Sequence, residues 1–250
     1  MRLSIVIISW NSLSMLRRCL DSLATVLRRE DVELVWVDNG SRDGSAAYMA
    51  AEWPQVVTEL LPENRGVAYA RNRGVELAQG KYILFLDDDT EADEDALEAL
   101  MTYLDTHPEV GIAGCALRDG EGNLQDSFKT YPGLWQKVRN VVWGKLCRSQ
   151  RPVELPPHVI HPTYIIGACQ MIRREVFDRI GLLDEVIFYG PEDADFCLRA
   201  HKAGWLTAYL PQVCIRHHWR RITNRRLTSP IARAHARALL HFWIKHRRLF

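Results

Sequence analysis

The 250-residue chain has no apolar run approaching the ~18 residues that a membrane-spanning helix requires. Its first apolar run, Leu3 to Ile8, is too short for a signal-peptide core and lacks a small-residue cleavage site, so no secretory leader is expected. The six cysteines include no pair at zinc-ligand or redox spacing, which fits small buried thiols in a reducing cytosol. There is no internal repeat and no low-complexity tract. Ser9-Trp10-Asn11 follows the first apolar run, where a dinucleotide-dependent dehydrogenase would carry G-x-G-x-x-G. The glycine-rich N-terminal loop expected of a nucleotidyltransferase is missing as well. Acidic residues stop at Asp195: all 31 Asp and Glu precede Phe196, whereas 12 of the 32 Lys and Arg follow it. An acidic body with a basic tail meets phosphate on a ligand or a membrane surface. The acidic body speaks against a broad nucleic-acid footprint, so no nucleic-acid partner is expected.

What is present describes a folded α/β protein. Hydrophobic residues make up 47% and charged residues 25%, and the length suffices for one full core. Apolar runs at Leu3–Ile8, Glu33–Val37, Val56–Leu61, Tyr82–Leu86 and Val110–Leu117 predict strands. Helical spacing between them, such as Leu13, Leu16, Leu20, Leu23 and Leu27, implies crossovers and parallel pairing. Helices are predicted over Gly66–Gln79, capped by Gly80, and over Thr90–Thr106. The stretch Asp119–Pro162 reads as loop-rich with one helix near Leu134–Leu146. Beyond it come an apolar run at Tyr164–Met171, a helix over Glu192–Ala203 and a short strand over Leu206–Leu210. Ser229-Pro230 opens a basic amphipathic segment through Phe250.

Polar clusters fall at the carboxyl ends of the predicted strands, where ligands sit on open α/β sheets: Ser9-Trp10-Asn11, Asp38-Asn39-Gly40-Ser41 and Asp87-Asp88-Asp89. Carboxylates packed together repel unless a cation joins them, and hard oxygen ligands suit Mg²⁺ or Mn²⁺ completed by substrate phosphates. A solvated acidic turn serving a helix dipole is the competing reading, and the buried strand before it favours the metal. Asp38 is placed to accept hydrogen bonds from a base or ribose. Arg71 is read either as facing a phosphate or base or as a surface arginine. Glu192 and Asp193 open a helix, as a general base or as dipole-serving acids. His217 offers the nitrogen ligand to a metal otherwise held by oxygen, or is simply a surface residue.

Read together, these segments resemble glycosyltransferase family 2, and especially its rhamnosyltransferase-like branch. The motifs run in family order: Val6-Ile-Ile-Ser-Trp-Asn11, Val37 to Ser45, Asn64-Arg-Gly66 with Ala70 to Gly74, Phe85 to Asp89, Ile166 to Phe177, Gly181 to Asp184 and Glu192 to Arg199. The resemblance spans roughly residues 3 to 220. It implies a GT-A type fold: a Rossmann-like, mostly parallel central sheet flanked by helices, with a less regular acceptor-side half. The expected division is a glycosyltransferase domain over 1–228, its nucleotide-sugar half about 1–117 and its acceptor half 118–228, followed by a basic amphipathic helix over 229–250.

The resemblance further implies an inverting transfer from a nucleoside-diphosphate sugar, such as a deoxyhexose like rhamnose, to a hydroxyl of a glycan or lipid-linked saccharide. Ser9, Asn11 and Asp38 would hold the nucleoside, with Asn64, Arg71, Asp87 and Asp88 also at the nucleotide-sugar. Asp89, Asp87 and His217 would meet Mg²⁺ or Mn²⁺. Asp193 would be the catalytic base, supported by Glu192. The family often follows this histidine with small residues, whereas His218-Trp-Arg-Arg221 follows here, and Arg220, Arg221, Arg225 and Arg226 are candidates to face phosphate. The C-terminal helix is expected either to lie on the inner face of a membrane through Ile231, Ala234, Ala238, Phe242 and Trp243, or to pack on the domain. The location is cytoplasmic in either case. The alternative function is an inactive nucleotide-sugar or glycan-binding module of the same fold.

Overall fold

The computed structural model describes residues 1–129, 153–218 and 230–246. The helix expected near Leu134–Leu146 and the arginines at 220, 221, 225 and 226 lie outside them. Leu3–Ser9 forms β1 and Leu13–Leu23 forms α1, whose one apolar face buries Leu16, Cys19, Leu20 and Leu23. Each such aliphatic side chain contributes about 1.5–3 kcal/mol relative to exposure, so this stripe fixes the helix against the sheet. β2 (Val32–Asp38), α2 (Ser45–Glu52), β3 (Val57–Leu60), α3 (Val67–Leu77) and β4 (Tyr82–Asp87) follow. Among the described residues, nine strands form one sheet with β3-β2-β1-β4 all parallel at one side. The parallel pairing read from the alternating periodicity therefore holds for this part.

The rest of the sheet departs from strict parallel order. The Tyr164–Met171 run is not one strand. Tyr164–Ile165 (β9) pairs with Phe128–Lys129 (β8) in a separate ribbon, and Cys169–Arg173 (β10) runs antiparallel between β4 and Val110–Arg118 (β6). The break falls at Gly167, where a Cβ would stand 2.3 Å from the Arg71 guanidinium. The strand parts there to admit that side chain.

Two other boundaries differ for local reasons. Thr90–Glu91 is a short strand, β5, and the helix α4 (Glu94–Thr106) starts later, because Asp93 caps it by accepting from the Ala96 amide at 2.8 Å. The strand expected to end at Leu210 continues as β11 (Leu206–His217), absorbing Pro211 at a register shift between Leu210 and Cys214, where a proline's missing donor is tolerated. α2 was not evident in the sequence, since it opens from the turn residues Asp43-Gly44-Ser45.

Gly80 is not a left-handed helix cap. It lies against the Ser4 backbone, 2.5 Å from the nitrogen for a built Cβ, and no larger residue fits that approach. Arg174–Ile180 forms α5, Glu192–Lys202 forms α6 and Pro230–His246 forms α7. α7 packs on the domain: Leu239, Phe242 and Trp243 join the core beside Phe177 and Phe196, and Ala238 is buried too. At Ala238, Phe242 and Trp243 the face considered for membrane insertion is thus occupied by protein. Among the described residues, no helix is long and apolar enough to cross a membrane.

Candidate active site

Parallel register brings the polar strand ends together. Ser9 stands beside Asp38, and Ile8 beside Asp87. The chain then turns through Asp88 and Asp89 into β5, which pairs antiparallel with the end of β11 so that Thr90 opposes His217. The ligand atoms of Asp87, Asp89 and His217 consequently lie within 4.8 Å of one another, with His217 Nε2 3.3 Å from Asp89 Oδ1. Two carboxylates and one imidazole, converging with a cavity before them, form a donor set that fits Mn²⁺ or Mg²⁺. Removal from bulk water raises the Asp87 pKa. Arg71 opposes that rise and the Asp89 charge adds to it. Burial would lower the His217 pKa, yet its hydrogen bond to Asp89 and the charges of Asp89 and Asp87 raise it overall.

Arg71 is not a surface residue; it is buried and lines the cavity. Its guanidinium is buried, donating to Asp87 Oδ1 at 2.8 Å, Glu192 Oε1 at 3.3 Å and the Gly167 carbonyl at 2.8 Å. It therefore ties the end of β4 to the start of α6. There, the Asp193 carboxylate accepts from the Gly167 amide at 3.3 Å and from its own neighbour Ala194 at 2.7 Å. Burial raises its pKa against those two amide bonds. Glu192 is buried, and among the described residues its Oε2 has no hydrogen-bond partner. Burial and then the Asp193 charge push its carboxyl up to about 7.

One cavity of about 720 Å³ is lined by Asp87, Asp88, Asp89, His217, Glu192 and Asp193, and by Ser9, Asn64 and Arg71. Ala234 of α7 closes part of it. Two predicted residues are not on its wall. Asp38 accepts from the Ser41 amide, and Asn11 accepts from the Arg42 amide while its own amide donates to Ser41 Oγ. They shape the turns at its rim. The Ser9 hydroxyl accepts from the Trp36 indole, and Asp88 accepts from Ser12, the cap of α1.

Sequence reading passed over Asn39. It lines the cavity and fastens the 64–66 turn by donating to Asn64 and the Gly66 carbonyl and accepting from Arg65. Its place in the Asp38-Asn39-Gly40 turn was the available signal. Gln125, against His217, left none.

Solved structures share this architecture. A mannosyltransferase from Pyrobaculum calidifontis, in complex with GDP-Man and Mn²⁺, superposes with a TM-score of 0.65 at 20% identity over 99% of this chain. GalNAc-T7 with UDP, GalNAc and Mn²⁺ gives 0.67 at 16% over 98%. The chain spans 64% and 49% of those two proteins' lengths, and the likeness is one of fold. The fold is the GT-A fold.

The glycosyl transferase family 2 profile matches residues 4–181, and the chain belongs to that family. It is similar to the N-acetylglucosaminyl-diphospho-decaprenol L-rhamnosyltransferase of Mycobacterium tuberculosis (strain CDC 1551 / Oshkosh), at 26% identity over 98% of this chain and 85% of that relative. It is also similar to the dTDP-rhamnosyl transferase RfbF of Shigella flexneri, at 26% over 79% of this chain and 64% of RfbF.

Proposed function

We propose that this glycosyltransferase moves a sugar, a deoxyhexose such as rhamnose, from a nucleoside diphosphate to a hydroxyl of a glycan or lipid-linked saccharide, with inversion. The observation that carries the reading is the shared cavity: the Asp87–Asp89–His217 set and Asp193 face the same space. The relatives that act on rhamnose and on a diphospho-decaprenol acceptor support the choice of donor and acceptor. A divalent ion, Mg²⁺ or Mn²⁺, would be held by Asp87, Asp89 and His217 and would neutralise charge on the departing nucleoside diphosphate.

The other steps belong to side chains of the chain itself. Asp193, oriented by the Gly167 amide, accepts the proton of the attacking hydroxyl at its carboxylate. Glu192 supports it by holding a proton part of the time near neutrality, so that two adjacent anions compete less. Ser9, Asn64 and Asp88 bound the donor's nucleoside side, with Asn11 and Asp38 holding the rim. One carboxylate base with no second nucleophilic acid corresponds to a single displacement. The enzyme works at the cytoplasmic side of a membrane, touching it through the outer face of α7.

The test is transfer from UDP-, GDP- and dTDP-sugars in Mn²⁺, comparing wild type with Asp193→Asn. Turnover is expected to fall about 10²–10⁴-fold while donor-induced thermal stabilisation persists. Wild-type turnover in the variant removes Asp193 from the role. A wild type that binds donors and transfers nothing is the inactive binding module.

A further inference from the structure

We propose that Gln125 is a positioning residue for the metal ligands, fixing His217 in the tautomer whose Nε2 lone pair faces Asp87 and Asp89. The inference rests on the metal site proposed above.

The hairpin after β6 is built by Asp119, which accepts from the amides of Glu121 and Asn123, and it folds Leu124–Gln125 (β7) back onto the strand. Leu117 of β6 is registered against Gln125 on one edge and Ile215 of β11 on the other. The Gln125 side chain thus reaches across the end of β6 to His217. It makes two contacts there: its Nε2 donates to the His217 carbonyl at 2.8 Å, and its Oε1 stands 2.7 Å from His217 Nδ1.

Only one assignment satisfies both contacts. A backbone carbonyl accepts and never donates, so the amide NH₂ must face it. The end facing the imidazole is then the amide oxygen, which can only accept, so Nδ1 carries the hydrogen. The ring's remaining nitrogen, Nε2, is the one 3.3 Å from Asp89 Oδ1 and within the three-ligand cluster. A metal-ligating histidine whose other N–H is fixed this way holds both its tautomer and its ring plane, and loss of such a partner costs 10–100-fold in metal affinity.

The experiment measures Mn²⁺ binding to the full chain without donor or acceptor, by electron paramagnetic resonance of free Mn²⁺. Wild type, Gln125→Leu, Gln125→Glu and His217→Ala are compared. The His217 ring nitrogens are read in parallel by ¹⁵N NMR with Mg²⁺ present, where Nε2 as a ligand carries no hydrogen. Gln125→Leu is expected to weaken Mn²⁺ about 10–100-fold and to release the Nδ1–H tautomer. Gln125→Glu keeps an acceptor for Nδ1–H while losing the donor to the carbonyl, so it should hold affinity within a few-fold and keep the tautomer. Wild-type affinity in Gln125→Leu, with His217→Ala weakened, overturns the inference and leaves the metal site standing. Equal losses in the two Gln125 variants assign the residue to folding alone and overturn it too. Mn²⁺ binding that His217→Ala leaves unchanged overturns the site, and the inference with it.

Discussion

Glu192 and Asp193 are adjacent in sequence yet meet different surroundings, and the difference separates their chemistry. Asp193 faces two amides that favour its anion, whereas Glu192 has one oxygen 3.3 Å from Arg71 and the other without a hydrogen-bond partner among the described residues. With its carboxyl pushed up to about 7, Glu192 binds a proton more tightly in the folded chain than in the unfolded one. Between the ordinary carboxylate range and about 7, the folded state carries the extra proton, so stability falls as pH rises through that window. Glu192→Gln abolishes the titration. Its melting temperature should exceed that of wild type near pH 8, and the advantage should shrink as pH falls and vanish below the ordinary carboxylate range, where wild type is protonated in both states. Thermal melts across that range without added metal check it, and a gap independent of pH contradicts it.

Among the elements, α7 shows how a basic amphipathic segment is held on a domain. Asp195 is fully buried and accepts from Arg199 Nε at 2.9 Å, Lys245 Nζ at 2.8 Å and His246 Nε2 at 2.8 Å. Asp184 takes Lys245 at 2.6 Å and His241 at 2.9 Å. Asp195 stands in the first turn of its own helix, but its partners lie mostly on another. Burial would raise the pKa of Asp195, yet the hydrogen bond from Lys245 and the charge of Arg199 bring it below the usual carboxylate range. Asp195→Asn removes the carboxylate that holds Arg199 and leaves Lys245 with Asp184 alone, and breaking a buried pair from one side costs about 3–5 kcal/mol. The variant should lose α7 to limited proteolysis at residues 230–246 earlier than wild type. Because Ala234 lines the cavity, donor-induced stabilisation should shrink as well.

For the whole molecule, packing α7 through Phe242 and Trp243 turns a different stripe outward. Arg233, Arg237, Leu240 and Ile244 are exposed, and the two aliphatic residues are 52% and 62% accessible. Cationic and apolar side chains on one face are what an anionic bilayer surface binds. Flotation with anionic vesicles should retain the wild-type chain, and Leu240→Glu with Ile244→Glu should release it. Equal flotation of both ends the membrane proposal.

Sequence alone determined the strands of the parallel side and the acidic strand ends on it, because burial of β1, β2 and β4 on two faces writes continuous apolar runs and turns write polar stops; their order in the sheet came from the structure. The Asp87–Asp89 pair was legible for that reason. Tertiary structure decided the rest of the site. His217 joins those aspartates only because β11 runs past Pro211 and pairs with β5. Gly167 breaks an apolar run so that Arg71 can enter between two carboxylates. Gln125 meets His217 from 92 residues away. Such contacts depend on register and on close approach between distant segments, and local periodicity carries no record of either.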